Sequence, residues 1–335
     1  MARMKWGIIS TALIGTAKVI PGMQQSPECE IVAIASRSQA RADAAAKQLG
    51  IPRAYGSYEA LFADPEIEAV YNPLPNNLHV PVSIQALEAG KHVLCEKPVS
   101  MNAPELEALI AARDRSGKQC VEAFMVRHHP QWQRARELAR SGALGRVRAV
   151  QGLFTYFLRD PANIRNIPEN GGGGMYDIGC YPIVTSRYIF GEEPTRVAAI
   201  VERDPDFGTD RLASVLLDYP SGQAAFICST QLVPYQRMHI SGEKARVEVE
   251  IPFNAPPDKP CRIFIDDGKV LGDGGRKVEE FPICDQYTLQ GTAVTHLFQR
   301  NDSGEFPLED AMKNMKVIDA VYKAGETGQW VEIGR

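Results

Sequence analysis

The sequence predicts an α/β domain on a parallel, doubly wound sheet, followed by an α+β domain with a large, mostly antiparallel open sheet. Three observations carry this. The chain has 335 residues, more than one hydrophobic core usually organises, which suits two domains. Over residues 1–124, apolar strand-like runs alternate with helix-like runs. Strands separated by helices join through right-handed crossovers into a parallel sheet covered on both faces. Beyond about residue 145, strand-like runs succeed one another across short turns such as Pro220-Ser221-Gly222, the pattern of antiparallel pairing.

In the first domain, strands are expected over residues 5–10, 30–35, 69–72, 92–95 and 119–123. Helices are expected from the turn after the first strand to Ser26-Pro27, and over 39–49 (stopped by Gly50), 57–63, 81–89 and 103–116. The second domain, 125–335, has expected strands over 146–157, 195–203, 213–218, 223–231, 236–240, 246–251 and 262–266. Helices over 131–141, 175–190, 289–300 and 308–325 surround them, the last able to pack back on the first domain. A sheet of this size buries one face and leaves the other to a subunit partner, so a homodimer or homotetramer through the C-terminal sheet is expected.

Bulk composition excludes several functions. The net charge is −4, so no basic field holds nucleic acid or an anionic membrane. No run of 18 apolar residues is present to span a membrane. The N-terminal Met1-Ala2-Arg3-Met4-Lys5 and the apolar stretch after it resemble a short signal peptide. Ser10, Thr11 and Thr16 interrupt that stretch, and it reads instead as a first strand. Seven cysteines, an odd number with no C-x-x-C pair, argue against a disulfide framework or a metal site and for a reducing cytosol.

The turn after the first strand, Ser10-Thr11-Ala12-Leu13-Ile14-Gly15, stands where a Rossmann fold carries G-x-G-x-x-G. Only Gly15 keeps glycine, but Ser10 and Ala12 are small enough to let a pyrophosphate approach a helix N-terminus. Read alone, the segment serves equally as an ordinary strand-to-helix turn. After the second strand, Ser36-Arg37-Ser38 replaces the acid that would hold a ribose 2′-hydroxyl. An acid would repel a 2′-phosphate, whereas Ser36 and Arg37 could bind it, which favours NADP over NAD. The plain alternative for Arg37 is a solvated surface residue. Glu96-Lys97-Pro98 follows the strand over 92–95, and strand carboxyl ends face the ligand crevice, so Glu96 and Lys97 open onto the site.

With these residues in place, the sequence resembles the glucose–fructose oxidoreductase/inositol dehydrogenase (Gfo/Idh/MocA) family. The likeness rests on Glu96-Lys97-Pro98, on the glycine run Gly171–Gly174 leading to Asp177-x-Gly179-x-Tyr181, and on Tyr71-Asn72-Pro73-Leu74-Pro75-Asn76-Asn77-Leu78-His79. It departs from the family at Ser10 and Ala12. Tyr181, where many members have histidine, is similar to the branch of dimeric dihydrodiol dehydrogenases and NADP-dependent D-xylose dehydrogenases. So are the segments around Arg127-His128-His129 and Asn163-Ile164-Arg165. The resemblance implies a carbohydrate or related cyclic alcohol as substrate, with Pro73, Leu74, Asn76 and His79 beside the nicotinamide, His79 being equally readable as a hydrogen-bonded structural histidine.

The chemistry agrees with that implication. Asp177 and Tyr181 are four apart and share a helix face. Tyrosine, with an ordinary pKa of about 10, is a weak base unless a cation such as Lys97 favours its phenolate. The expected roles are therefore Tyr181 for the proton, Lys97 to tune and orient, and Asp177 to hydrogen-bond the substrate. Arg127 and Arg165 are candidates for sugar hydroxyls, each also readable as an ion-pair residue. The rival functions are a keto-sugar reductase using the same site, an NAD-dependent glycosidase, and a non-catalytic NADP-binding regulator.

Overall fold

The computed structural model describes residues 3–272 and 274–334. Met1 and Ala2, which begin the basic N-terminal run, and Arg335, the end of the second predicted domain, lie outside the described residues. The chain divides into two compact units, Met1–Met125 with Asp285–Met312, and Val126–Cys284 with Lys313–Arg335.

The first unit holds strands β1 (Met4–Ile9), β2 (Cys29–Ala35), β3 (Arg53–Tyr55), β4 (Ala69–Asn72), β5 (His92–Cys95) and β6 (Cys120–Glu122). They form one sheet in the order β3-β2-β1-β4-β5-β6, and every pairing is parallel. Between them run α1 (Ile20–Gln24, entered through a π turn at Gly15–Val19), α2 (Gln39–Leu49), α3 (Tyr58–Phe62), α4 (His79–Glu88) and α5 (Ala103–Ser116). Local chemistry sets their ends. Ser38, Ser57 and Asn102 accept the amides of Arg41, Ala60 and Glu105, satisfying donors that a helix start leaves open. Gly50 and Gly117 close α2 and α5 in the left-handed conformation, with φ of 66° and 65°.

Alternation along β1 sends side chains to two cores, one on each side of the sheet. Trp6 and Ile8 join Val19, Ile20 and Met23, together with Val294 and Phe298 from the helix Gln286–Gln299. Ile9 joins Leu87, Leu106 and Leu109 on the opposite side. The Gln286–Gln299 helix follows the second sheet in sequence but is built into this first unit. The Trp6 indole donates to Thr295 Oγ1 at 3.1 Å, and the Thr288 hydroxyl donates to the Gly22 carbonyl at 2.7 Å.

Among the described residues, the second unit holds α6 (Pro130–Arg140), α7 (Cys180–Phe190, entered through a π turn at Met175–Gly179) and nine strands. These are β7 (Val147–Phe157), β8 (Arg196–Arg203), β9 (Asp210–Asp218), β10 (Gln223–Ser229), β11 (Gln231–Gly242), β12 (Arg246–Val249), β13 (Cys261–Asp266), β14 (Lys277–Phe281) and β15 (Val331–Glu332). Their order is β14-β13-β12-β11-β7-β10-β9-β8-β15, with β7 and β10 the one parallel pair of this sheet among the described residues. One face is buried: Trp132 of α6 lies 6.4 Å from the Phe253 ring and donates to the Pro252 carbonyl at 2.6 Å. The register puts Ile200, Ser214, Ile227, Leu153 and Arg237 in one row across five strands on the other face, where Ile200 is 76% exposed. The long last helix, Leu308–Thr327, begins in the first unit and continues in the second. Among the described residues, no helix is long and apolar enough to cross a membrane.

Candidate active site

In the first unit, the strand order reverses between β1 and β4, the place where open α/β sheets bind ligands beyond their carboxyl ends. The expected nucleotide turn leaves β1 there. Ser10 has φ 75°, the left-handed conformation that the missing glycine would take. Its hydroxyl accepts the Ala12 amide at 3.2 Å, an interaction glycine cannot make. Leu13 is 80% exposed at the tip, and Ile14 packs on the Trp6 side of the core. Gly15 opens the π turn against Tyr71 and Pro73; an added Cβ would meet them at 3.6 and 3.5 Å, ordinary contact. The shape of this turn is therefore set by Ser10 more than by the retained glycine. At the end of β2, Ser36 is buried, Arg37 is exposed, and Ser38 caps α2.

The loops after β4 and β5 are braced from below. The fully buried Asn72 amide donates to the His79 carbonyl at 3.2 Å and to Ser83 at 3.0 Å, and its Oδ1 accepts the Leu74 amide at 3.2 Å. Pro73 and Leu74 are buried, while Asn76 opens a short 3-10 turn, Asn76–Leu78. His79 has Nδ1 2.7 Å from the Pro98 carbonyl and Nε2 2.7 Å from the Leu74 carbonyl. Burial pushes its pKa down to about 4. The neutral ring carries one N–H, so His79 donates to one of these two carbonyl oxygens while packing the loop after β4 against the loop after β5. Glu96 accepts the Tyr71 hydroxyl at 2.7 Å and the Lys97 amide at 3.3 Å. Glu122 Oε1 accepts the Val99 amide at 3.0 Å. Lys97, half-buried, thus stands on a loop held at both sides, and its bond to Pro98 is cis.

In the second unit, Asp177 lies within the π turn and Tyr181 in the first turn of α7, and both meet β7. The Tyr156 hydroxyl donates to Asp177 Oδ2 at 2.5 Å, while the Tyr181 ring packs at 5.8 Å on Phe154 and 5.4 Å on Phe253. Tyr156 and Phe154 are alternate residues of one strand, so a single strand face receives both. Arg165 Nε pairs with Asp177 Oδ1 at 2.9 Å, and the Arg165 guanidinium also interacts electrostatically with Tyr181. The Asp177 carboxylate holds the Arg165 guanidinium firmly charged, whereas burial and then Asp177 push the Tyr156 phenol upward. Arg165 keeps 40% of its side chain exposed and Asp177 16%, so the cluster is reachable. Arg127 is buried on the Met125–His128 turn that opens this unit.

Sequence reasoning missed Tyr156 and Phe154. They lie inside an expected strand, but nothing local announces that alternate residues meet Asp177 and Tyr181. It also missed Tyr71 and Asn72 as braces, whose partners Glu96, His79 and Ser83 lie 7 to 25 residues away. The expected uninterrupted helix over 175–190 is instead a π turn followed by α-helix, a bulge found often at functional positions.

Two family models match. Residues 4–124 match the oxidoreductase family with an NAD-binding Rossmann fold, and residues 132–248 match the GFO/IDH/MocA C-terminal domain. An uncharacterised oxidoreductase of Rhizobium meliloti is 45% identical over 98% of this chain and 99% of its own. The chain belongs to the GFO/IDH/MocA family. Other members it resembles include a D-xylose 1-dehydrogenase (NADP(+)) of Haloferax volcanii, 39% identical over 98% of this chain and 100% of its own. A solved 3-ketoreductase from Actinomadura kijaniata, in complex with NADP and TDP-benzene, superposes with a TM-score of 0.89 at 27% identity, covering 96% and 98% of the two chains. The protein is thus a dehydrogenase or reductase of the GFO/IDH/MocA family, in the branch that contains the NADP-dependent D-xylose dehydrogenase.

Proposed function

We propose that this oxidoreductase uses NADP to interconvert a hydroxyl and a carbonyl on a neutral sugar or related cyclic alcohol. The observation that carries the reading is the Arg165–Asp177–Tyr156 cluster beside Tyr181. An ionised acceptor, a cationic donor and a phenol on one accessible face suit a ligand rich in hydroxyls. The residues of the first unit fit the cofactor: Ser10 supplies the left-handed turn that glycine usually gives, and no carboxylate follows β2 to repel a 2′-phosphate. Ser10 to Ile14 would hold the pyrophosphate, Ser36 to Ser38 the 2′-phosphate, and Pro73, Leu74, Asn76 and Glu96 the nicotinamide half. When bound, NADP supplies the hydride acceptor or donor.

Tyr181 takes the hydroxyl proton as the alcohol is oxidised and returns it in the reverse direction. Lys97 and Arg165 provide the positive charge that favours the phenolate. Asp177, fixed by Arg165 and Tyr156, accepts a substrate hydroxyl and sets its orientation. Arg127 is a further candidate for a substrate hydroxyl. His79 acts as a brace for the Lys97 loop. Solved variants of the Actinomadura ketoreductase have a lysine or a tyrosine replaced, and these two residues have the same sequence separation as Lys97 and Tyr181. That kinship also supports the reductase direction on keto-sugars, which needs no other residue. The exposed Ile200 and Ile227 on the open sheet face support a homo-oligomer through that face, in the cytoplasm as the cysteine usage favours.

The test is a panel of aldoses and cyclic diols with NADP⁺ and NAD⁺, followed by reduced-cofactor absorbance. Net reduction of NADP⁺ is expected. Glycoside cleavage without net reduction would replace the reading with a redox-assisted glycosidase. NADP binding with no turnover of any member would replace it with a regulator.

A further inference from the structure

The turn that launches the Asp177–Tyr181 helix rests on a buried carboxylate outside the reacting cluster. Asp210, the first residue of β9, is 1% exposed. Its Oδ2 accepts the Met175 amide at 2.6 Å, at the start of the π turn, and its Oδ1 accepts the Tyr322 hydroxyl at 2.9 Å. The glycine run is shaped around it. A Cβ on Gly173, whose φ is 122°, would lie 2.0 Å from Asp210 Oδ1, and one on Gly174 would lie 3.4 Å from Oδ2. The same run grips the segment that carries Arg165: the Gly173 amide donates to the Arg165 carbonyl at 2.9 Å, and a Cβ on Gly172 would lie 2.6 Å from that oxygen. Tyr322 is itself held, its ring 5.4 Å from Tyr176 and 5.8 Å from the Arg203 guanidinium. One carboxylate thus fixes the helix start that presents Asp177 and Tyr181, and through the glycine turn it fixes Arg165, the partner of Asp177.

We propose that Asp210 is a positioning residue for the reaction, holding the Met175 turn so that Asp177, Arg165 and Tyr181 keep their mutual geometry. The inference rests on the site reading above. Displacements of about 1 Å at a reacting group cost on the order of 10²-fold in rate, so the effect is kinetic more than structural.

The experiment compares Asp210→Ala, Asp210→Asn and Tyr322→Phe with the unmodified protein, with Tyr181→Phe run alongside. Three quantities are read: kcat and KM with D-xylose and NADP⁺, the NADP dissociation constant, and amide hydrogen exchange over residues 171–181. For Asp210→Ala, kcat is expected to fall by about 30-fold or more, with NADP affinity unchanged within about twofold and exchange over 171–181 selectively faster. Asp210→Asn keeps the shape and one acceptor and should recover most of the turnover. Tyr322→Phe loses one bond and should cost about threefold or less.

Unchanged exchange and turnover in Asp210→Ala, beside an inactive Tyr181→Phe, would overturn the role of Asp210 alone. A fully active Tyr181→Phe would overturn the site reading itself. Parallel loss of NADP binding and of turnover would make Asp210 a general stability residue and overturn the proposal. If Asp210→Ala does not fold, Asp210→Ser, which also removes the two-oxygen acceptor but leaves a smaller void, decides by the same split, and if D-xylose is not turned over, the exchange measurement decides.

Discussion

Among the described residues, two helices open on a π turn, one at Gly15–Val19 and one at Met175–Gly179, and the loops that enter them are built in opposite ways. The first has almost no glycine. It obtains its sharp turn from a serine forced to φ 75°, with the serine hydroxyl on the Ala12 amide. The second has four consecutive glycines, and at least two are required sterically, because a carboxylate and a backbone carbonyl occupy the space of their missing Cβ atoms. Glycine in the first loop would supply conformation. In the second it supplies room. A conformational demand can be met by another residue at modest cost, whereas a demand for volume cannot. The family pattern is accordingly lost at Ser10 and kept at Gly172 and Gly173.

That contrast orders the expected effects of substitution. Gly173→Ala should be the most damaging, since it adds a Cβ at φ 122° on top of Asp210. A loss of at least about 3 kcal/mol is expected, read by thermal or denaturant unfolding. A melting point near that of the unmodified chain would show that room is not what this glycine provides. Tyr181→Phe should leave folding intact and lower kcat by about 10²- to 10⁴-fold. Near-normal turnover in a steady-state assay would remove Tyr181 from the chemistry. Arg37→Glu should shift the ratio of NADP to NAD affinity toward NAD by about tenfold or more, from the charge-assisted bonds at stake. Isothermal titration with the two cofactors reads this, and an unchanged ratio would leave Arg37 a solvated residue. Ser10→Gly should be the mildest. It relieves a left-handed serine but loses the bond to Ala12, for a net change within about 1 kcal/mol and NADP affinity within about threefold. A larger destabilisation would mean that the serine hydroxyl, not the backbone turn, is what the loop depends on.

Much of the architecture was legible because it is written in local pattern. Residues 39–49, 69–72, 92–95 and 103–116 appear as elements at the bounds the sequence implies, since caps such as Ser38 and Asn102 and stops such as Gly50 directly flank the helices they delimit. The short strands Arg53–Tyr55, Lys277–Phe281 and Val331–Glu332 were not legible. They sit at or next to sheet edges, where pairing with a neighbour and not internal periodicity defines them. The site divides the same way. Asp177 and Tyr181 carry a motif, and the structure brings both to β7. Tyr156, Asp210 and the double carbonyl contact of His79 depend on contacts across 19 to 35 residues of chain or on a neighbouring strand, and no window of sequence contains both partners.

The helix Gln286–Gln299 has a consequence for how the polypeptide is made. The Trp6 side chain is fully buried, yet the hydroxyl that its indole reaches belongs to Thr295. As the chain leaves the ribosome N-terminus first, the parallel sheet emerges with its Trp6–Met23 face still lacking Val294 and Phe298. The whole of the second sheet's nine-strand core except its β15 edge is synthesised before that face can be closed. The nascent protein therefore exposes a broad apolar surface through most of its translation, a window in which chaperone occupancy, not final stability, decides yield. Severing the chain after residue 125 would make that temporary exposure permanent.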